Sequence, residues 1–274
     1  MSAPQFTPLT NLSLDTFQNQ LKVIVGAEKT EVFISVDLVT QHSKFFKGAC
    51  NEQCNSGRTK TVILEHEEPE IFEVFLNWMY TGSIQSSVDF VELQELDKRG
   101  GNNFDNVFLA RFGNKETAAL FNSALEKQWM KLAKCFVLSH FLLAPDFHNV
   151  VTDMIVLNHR RLRNLGLKKF LEHDEIRYLY TNTAKGYAIR RIVLDNHIDF
   201  LGNSPGFPME PCFQEFLEEV ALHALSDLHN TSERPRRQQG GLFGSAPSRD
   251  PCPNDFCQYH AHPGKPDGYN CRKK

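Results

Sequence analysis

Leu21-Lys22-Val23-Ile24-Val25, Gly26-Ala27-Glu28-Lys29 and Glu31-Val32-Phe33-Ile34-Ser35 together predict two short strands joined by a tight turn. Apolar residues recur at every second position in the first run, the period of a strand with one buried face. Gly26 supplies the turn residue that accepts positive φ without strain. A short helical piece, Val36–Gln41, follows, then Ser43-Lys44-Phe45-Phe46 and a polar loop leading to Val62-Ile63-Leu64. A helix is signposted next: Glu67 and Glu68 stand at its dipole-positive end, and Pro69 suits its first turn. Ile71, Phe72, Phe75, Leu76 and Met79 form one apolar stripe, closing on Trp78-Met79-Tyr80-Thr81-Gly82, where glycine supplies a stop.

Outward from this stretch the chain becomes helical. Residues 1–16, with Pro4 and Pro8, are read as a flexible N-terminus. Residues 85–115 break the pattern, and Asp97-Lys98-Arg99-Gly100-Gly101-Asn102-Asn103 reads as an insertion loop. A long helix is expected from about Lys115 to Leu142, with Phe121, Leu125, Leu132 and Phe136 on one face and Trp129 close to it. Pro145 interrupts, and Phe147, Val150, Val151, Met154 and Ile155 open a new stripe at helical spacing. Three more helices are expected, at about 172–182, 186–197 and 210–228. In the last, Phe213, Phe216, Leu217, Val220, Ala221, Ala224, Leu225 and Leu228 form the apolar stripe, and Glu215, Glu218, Glu219 and Asp227 face away. From Thr231 onward Pro, Gly, Arg and Ser dominate, the composition of a disordered tail.

Composition narrows the class. Net charge −3 and pI near 6.4 argue against a globally basic nucleic-acid binder. Charge is nevertheless uneven: residues 231–274 carry +4, which leaves −7 on the preceding 230 residues. Hydrophobic content of 41% fits a globular protein, and the 22 Phe are expected mainly in its core. No apolar run approaches the roughly 20 residues that a membrane span needs. Met1-Ser2-Ala3-Pro4-Gln5 does not open a secretory signal, so the seven Cys are expected as reduced thiols in a cytoplasmic or nuclear protein.

The order of these elements, with Ser43-x-Phe45-Phe46 and Trp78-x-Tyr80-Thr81-Gly82, resembles a BTB/POZ domain. Leu132-Ala133-Lys134-Cys135-Phe136-Val137-Leu138-Ser139-His140 followed by Pro145-Asp146-Phe147-His148-Asn149 is similar to the helix, Pro-bearing turn and helix that come later in that family. Thr183–Arg191 looks like the region that follows the BTB unit in many short filamentous-fungal BTB proteins. The resemblance covers residues 21–84 and 130–158 and implies an α+β chain. A small mixed sheet capped by helices, the BTB/POZ fold, would be followed by a helical C-terminal extension and a disordered tail. The implied organisation is a flexible N-terminus (1–16), a BTB/POZ domain (17–158) with an insertion at about 85–115, a helical extension (159–230) and a basic Cys/His-containing tail (231–274).

The family resemblance also implies a function, protein–protein interaction by an adaptor or scaffold. Its partners would be proteins: a second copy in a homodimer, or a cullin of a ubiquitin ligase, with neither membrane nor nucleic acid. Cullin-recruiting members use an apolar-x-Glu element after the Phe-Phe helix, and Cys50-Asn51-Glu52 is the nearest match, so Cys50 and Glu52 are the candidate partner contacts. The other interpretation of that loop is a solvated segment made polar by Asn51, Glu52, Gln53, Asn55 and Ser56. Leu9, Leu12, Leu14 and Phe17 are candidates to cover an apolar face of the unit, in the same subunit or a neighbour.

The tail holds a candidate metal constellation, Cys252, Cys257, His260, His262 and Cys271, because zinc takes four Cys or His ligands. Its spacing matches no standard finger, and a tail without cofactor is the competing expectation. Arg234-Pro235-Arg236-Arg237 supports an alternative in which the protein is a nuclear transcription-related subunit; a metal-dependent enzyme built on the tail is a further alternative. Catalysis finds no foothold elsewhere: no phosphate-cradling glycine loop, nucleophile elbow or His-Glu-x-x-His is present. His140, His148 and His159 are read as packing or surface residues, and Cys135, amid Ala133, Phe136 and Val137, as an inert buried thiol. The expected protein is therefore not an enzyme.

Overall fold

A computed structural model describes residues 19–51, 55–85, 115–164, 171, 173–201 and 214–232. Three strands, β1 (Gln20–Val25), β2 (Thr30–Ser35) and β3 (Thr61–Leu64), form a sheet of order β2-β1-β3. β1 pairs antiparallel with β2 (Val23 opposite Val32) and parallel with β3 (Val23 opposite Val62). The predicted alternation is realised: Leu21, Val23 and Val25 are buried, while Lys22 and Ile24 lie on the outer face. Gly26 turns the chain at φ 75°, and a Cβ there would stand only 3.1 Å from the Glu67 carbonyl and from Pro69.

The helices of the described residues are α1 (Val36–His42), α2 (Lys44–Ala49), α3 (Asn55–Thr59), α4 (Pro69–Thr81), α5 (Lys115–Phe141), α6 (Pro145–Asn164), α7 (His173–Asn182), α8 (Ala188–Leu201) and α9 (Gln214–Ser232). Two of their boundaries are set by serine. Ser35 caps α1 by accepting from Leu38 N–H, and Ser43 caps α2 by accepting from Phe46 N–H. α4 begins at Pro69 and ends on Gly82, which is left-handed at φ 73°, as its sequence predicts. α3 differs from the expected polar loop: Ser56 donates to the Ala49 carbonyl at 2.8 Å, and this tie folds Asn55–Thr59 into a helical turn. Gly57 lets that turn close, because a Cβ would overlap the Asn51 carbonyl.

One buried core runs through the whole described chain, from Leu21 to Phe216. Its centre is aromatic. Phe75 and Trp78 of α4 meet Phe147 of α6 with ring centroids 5.2 and 5.1 Å apart, and Phe46 lies against Phe72. Trp129 and Phe136 of α5 are also fully buried. α6 continues past residue 158, where the BTB unit was expected to end, to Asn164. Among the described residues, no helix is long and apolar enough to cross a membrane.

The orientation of α9 corrects the sequence-based expectation. Glu219 is buried rather than facing away, and Glu215 is only half exposed, whereas Leu225 is 62% exposed and Ala221 is exposed. The cause is Arg190 of α8, whose side chain is almost completely enclosed. Its five N–H donors go to Glu215 (2.5 Å), Glu219 (3.4 Å), the Thr183 hydroxyl (3.2 Å), the Tyr180 carbonyl (2.9 Å) and the Thr183 carbonyl. The Tyr180 hydroxyl donates to Glu219 at 2.8 Å, and the guanidinium carbon stands 4.2 Å from the Tyr180 ring centre. A buried cation must be paired, so the carboxylates take the inner face and two leucines are left outside. Burial, and then the Glu219 carboxylate, push the Tyr180 phenol up.

Candidate partner-binding surface

The α5–α6 turn, Leu142-Leu143-Ala144, is seated on the start of α2. A helix N-terminus leaves its first N–H groups without partners. Here Lys44 and Phe45 donate to the carbonyls of Leu143 and Leu142, both at 3.3 Å. The Ser43 hydroxyl, which caps Phe46, itself donates to the Leu142 carbonyl at 2.6 Å. Leu143 takes positive φ (50°) to present its carbonyl there.

That junction gathers exposed apolar surface. Phe45 is half-buried, with its ring 5.0 Å from that of Phe141. Phe141 is 45% and Leu143 55% exposed. One turn along α2, Gly48 is exposed, and a Cβ built on it meets nothing within 4 Å. Cys50 closes α2, half-buried, its N–H on the Phe46 carbonyl. Phe45, Phe141 and Leu143 make a low apolar shelf at the start of α2, the helix that Cys50 closes. Glu52 lies outside the described residues, as do Cys252, Cys257, His260, His262 and Cys271 and Leu9, Leu12, Leu14 and Phe17. The nuclear and metal-enzyme alternatives rest on residues 231–274, nearly all of which also lie outside.

Sequence reasoning missed the shelf because it treated phenylalanine as core by default. The available signal was Phe141-Leu142-Leu143: three apolar residues run into a Pro-bearing turn, and a helix end cannot bury all three. A second open apolar surface is the outer face of the sheet, where Phe33 (58% exposed) and Ile63 (66%) flank half-buried Ile24. The Lys22–Glu31 ion pair (2.6 Å) crosses the same face.

Among the described residues, no three His, Cys, Asp or Glu side chains are grouped as metal ligands. An open groove between α4, α5 and α7 is lined by Glu68, Lys134, Asp174, Arg177, Tyr178 and Asn182, but Lys134 is occupied by Glu68 at 2.6 and 2.7 Å. Cys135 is fully buried, and burial pushes its thiol up to about 12. Cys135 is therefore expected to stay unalkylated when the native protein meets iodoacetamide at neutral pH and to react fully in urea; mass spectrometry of its peptide checks this. Burial lowers His42 (opposed by Asp146), His140 and His197 (opposed by its bond to the Val193 carbonyl).

Residues 17–98 match the BTB/POZ domain family. The chain thus contains a BTB/POZ domain, a protein–protein interaction module whose family in general takes protein partners and self-associates. The match ends before α5, although α5 and α6 close the core on which the matched residues pack. No curated protein matches the chain.

Proposed function

We propose that this protein is a non-catalytic adaptor whose BTB unit docks a cullin-class ubiquitin-ligase subunit on the shelf formed by Phe45, Phe141 and Leu143. The observation that supports this reading is the shelf itself, which stands at the start of α2, the helix that Cys50 closes. Exposed apolar side chains clustered beside polar loops favour protein contacts. The helical extension, joined to the BTB unit through one continuous core, would carry the client at a fixed distance from the ligase.

The test uses Gly48→Arg, because that side chain enters open space and spares the fold. Purified protein is captured on an immobilised cullin N-terminal domain. Gly48→Arg and Phe141→Asp are expected each to lower capture at least tenfold with thermal melting unchanged, and Glu52→Ala to lower it less. Undiminished capture by both shelf variants would remove the shelf from the interface.

Self-association is a second reading, favoured by the open sheet face. Phe33→Glu is expected to shift the mass measured by light scattering toward the monomer without affecting cullin capture. An unchanged mass rules out that face as the contact between copies.

A further inference from the structure

His140 occupies the last turn of α5, half-buried among three aromatic rings. Phe136 of the same helix lies 4.9 Å away between ring centres, and His148 of α6 and Tyr187 each lie 4.5 Å away. Tyr187 ends the turn between α7 and α8, so its contact ties the helical extension to the α5–α6 hairpin of the BTB side. The Nε2 atom of His140 is buried without a hydrogen-bond partner. A neutral imidazole tolerates that position as an aromatic packing group. An imidazolium presents two N–H donors and a full charge, and burying either unmatched is costly.

We propose that His140 is a proton-operated latch: neutral, it holds the α7–α8 turn against the BTB hairpin, and protonated, it releases that turn. The groups facing it offer little compensation. Phe136 and Ser139 on α5 are uncharged, and Ser139 is engaged with His148 Nδ1 at 3.2 Å. His148, the titratable group from α6, would add a second positive charge if it also took a proton. Tyr187 brings an uncharged ring, tilted 59° to the imidazole. Burial alone moves the His140 titration, downward from 6.5.

The docked turn keeps its full stability above pH 6.5, where the imidazole is neutral whether docked or released. As pH falls below 6.5 the released state takes up a proton that the docked state resists, so release grows until the docked titration point is passed. A contact elsewhere between the BTB side and the extension responds oppositely. Glu67, close to Tyr178 of α7, is raised by burial and by Glu68, so acid favours its packed state. The turn at 183–187 reverses through Gly186 at φ 90° and a 3.3 Å bond from Tyr187 N–H to the Ala184 carbonyl, and Arg190 ties Thr183 to α8.

Amide hydrogen exchange of the full chain, corrected for intrinsic rates, tests this at pH 7 and pH 5. The opening constant of amides 184–191 is expected to rise about tenfold at pH 5, while that of Phe75 in α4 does not change. His140→Phe should abolish the rise. If that variant does not fold, Tyr187→Leu serves instead, since it removes the ring that closes the cage and must leave the turn equally open at both pH values. No rise in the native chain, an equal rise in either folded variant, or a matching rise at Phe75 would each overturn the latch.

Discussion

A fragment ending at residue 98, where the family match stops, is expected not to unfold cooperatively in urea, whereas the full chain does. The matched residues include Phe75, Trp78 and Met79, all fully enclosed; His42 and Phe72 lie against Trp78 and Phe75 within the match, and the rest of the cover includes side chains of later helices. Phe147 contacts both Phe75 and Trp78, and Trp129, Leu132 and Phe136 fill the same core. Each large apolar side chain that loses its cover forfeits about 1.5–3 kcal/mol. Three or four such losses consume the roughly 5–15 kcal/mol by which a domain is stable. The single change Phe147→Ala in the full chain isolates the effect: it should cost about 3–5 kcal/mol in urea unfolding followed by circular dichroism. A cost below about 1 kcal/mol, or a sharp transition in the fragment, would show that the matched residues form an autonomous core.

Arg190→Met is expected to be similarly damaging although it replaces a polar residue by an apolar one. The substitution leaves Glu219, whose side chain is 9% exposed, without its cation. It also removes the guanidinium donors from the carbonyls of Tyr180 and Thr183. Removing one partner of a buried ion pair costs about 3–5 kcal/mol, because the remaining charge stays buried. The double change Arg190→Met, Glu219→Leu should recover most of that loss, since an apolar pair in the same volume carries no desolvation penalty. A double-mutant cycle with coupling near zero would mean that the two residues act independently.

These two sites also mark how far the sequence could be read. The sheet and α4 are legible because their signals are local: alternation in Leu21–Val25, the positive-φ glycine at 26, Pro69 at one end of a helix and Gly82 at the other. The long helix to Phe141 and the stripe begun by Phe147 are legible from period alone. Arg190 was opaque because its partners lie 25 and 29 residues later, and no periodic rule marks a glutamate as buried. That one unseen cation reversed the assignment of Glu219 and of Leu225. The shelf was half legible: Cys50 was singled out from the family resemblance, but Phe141 and Leu143 reach it only through the turn that docks on α2.

That docking sets a timetable for the newborn chain. The acceptors for Lys44 and Phe45 and for the Ser43 hydroxyl lie about a hundred residues downstream, the Ser43–Leu142 separation being 99. At about 5–20 residues per second, a ribosome needs on the order of 5–20 s to deliver them. During that interval Phe46 and His42 can already pack on Phe72 and Trp78, but the apolar side of α4 still lacks the cover that Phe147 gives Phe75 and Trp78. A chaperone that shields aromatic helix faces therefore has a window with a defined close: the emergence of the Leu142–Phe147 segment, which caps α2 and covers α4 together.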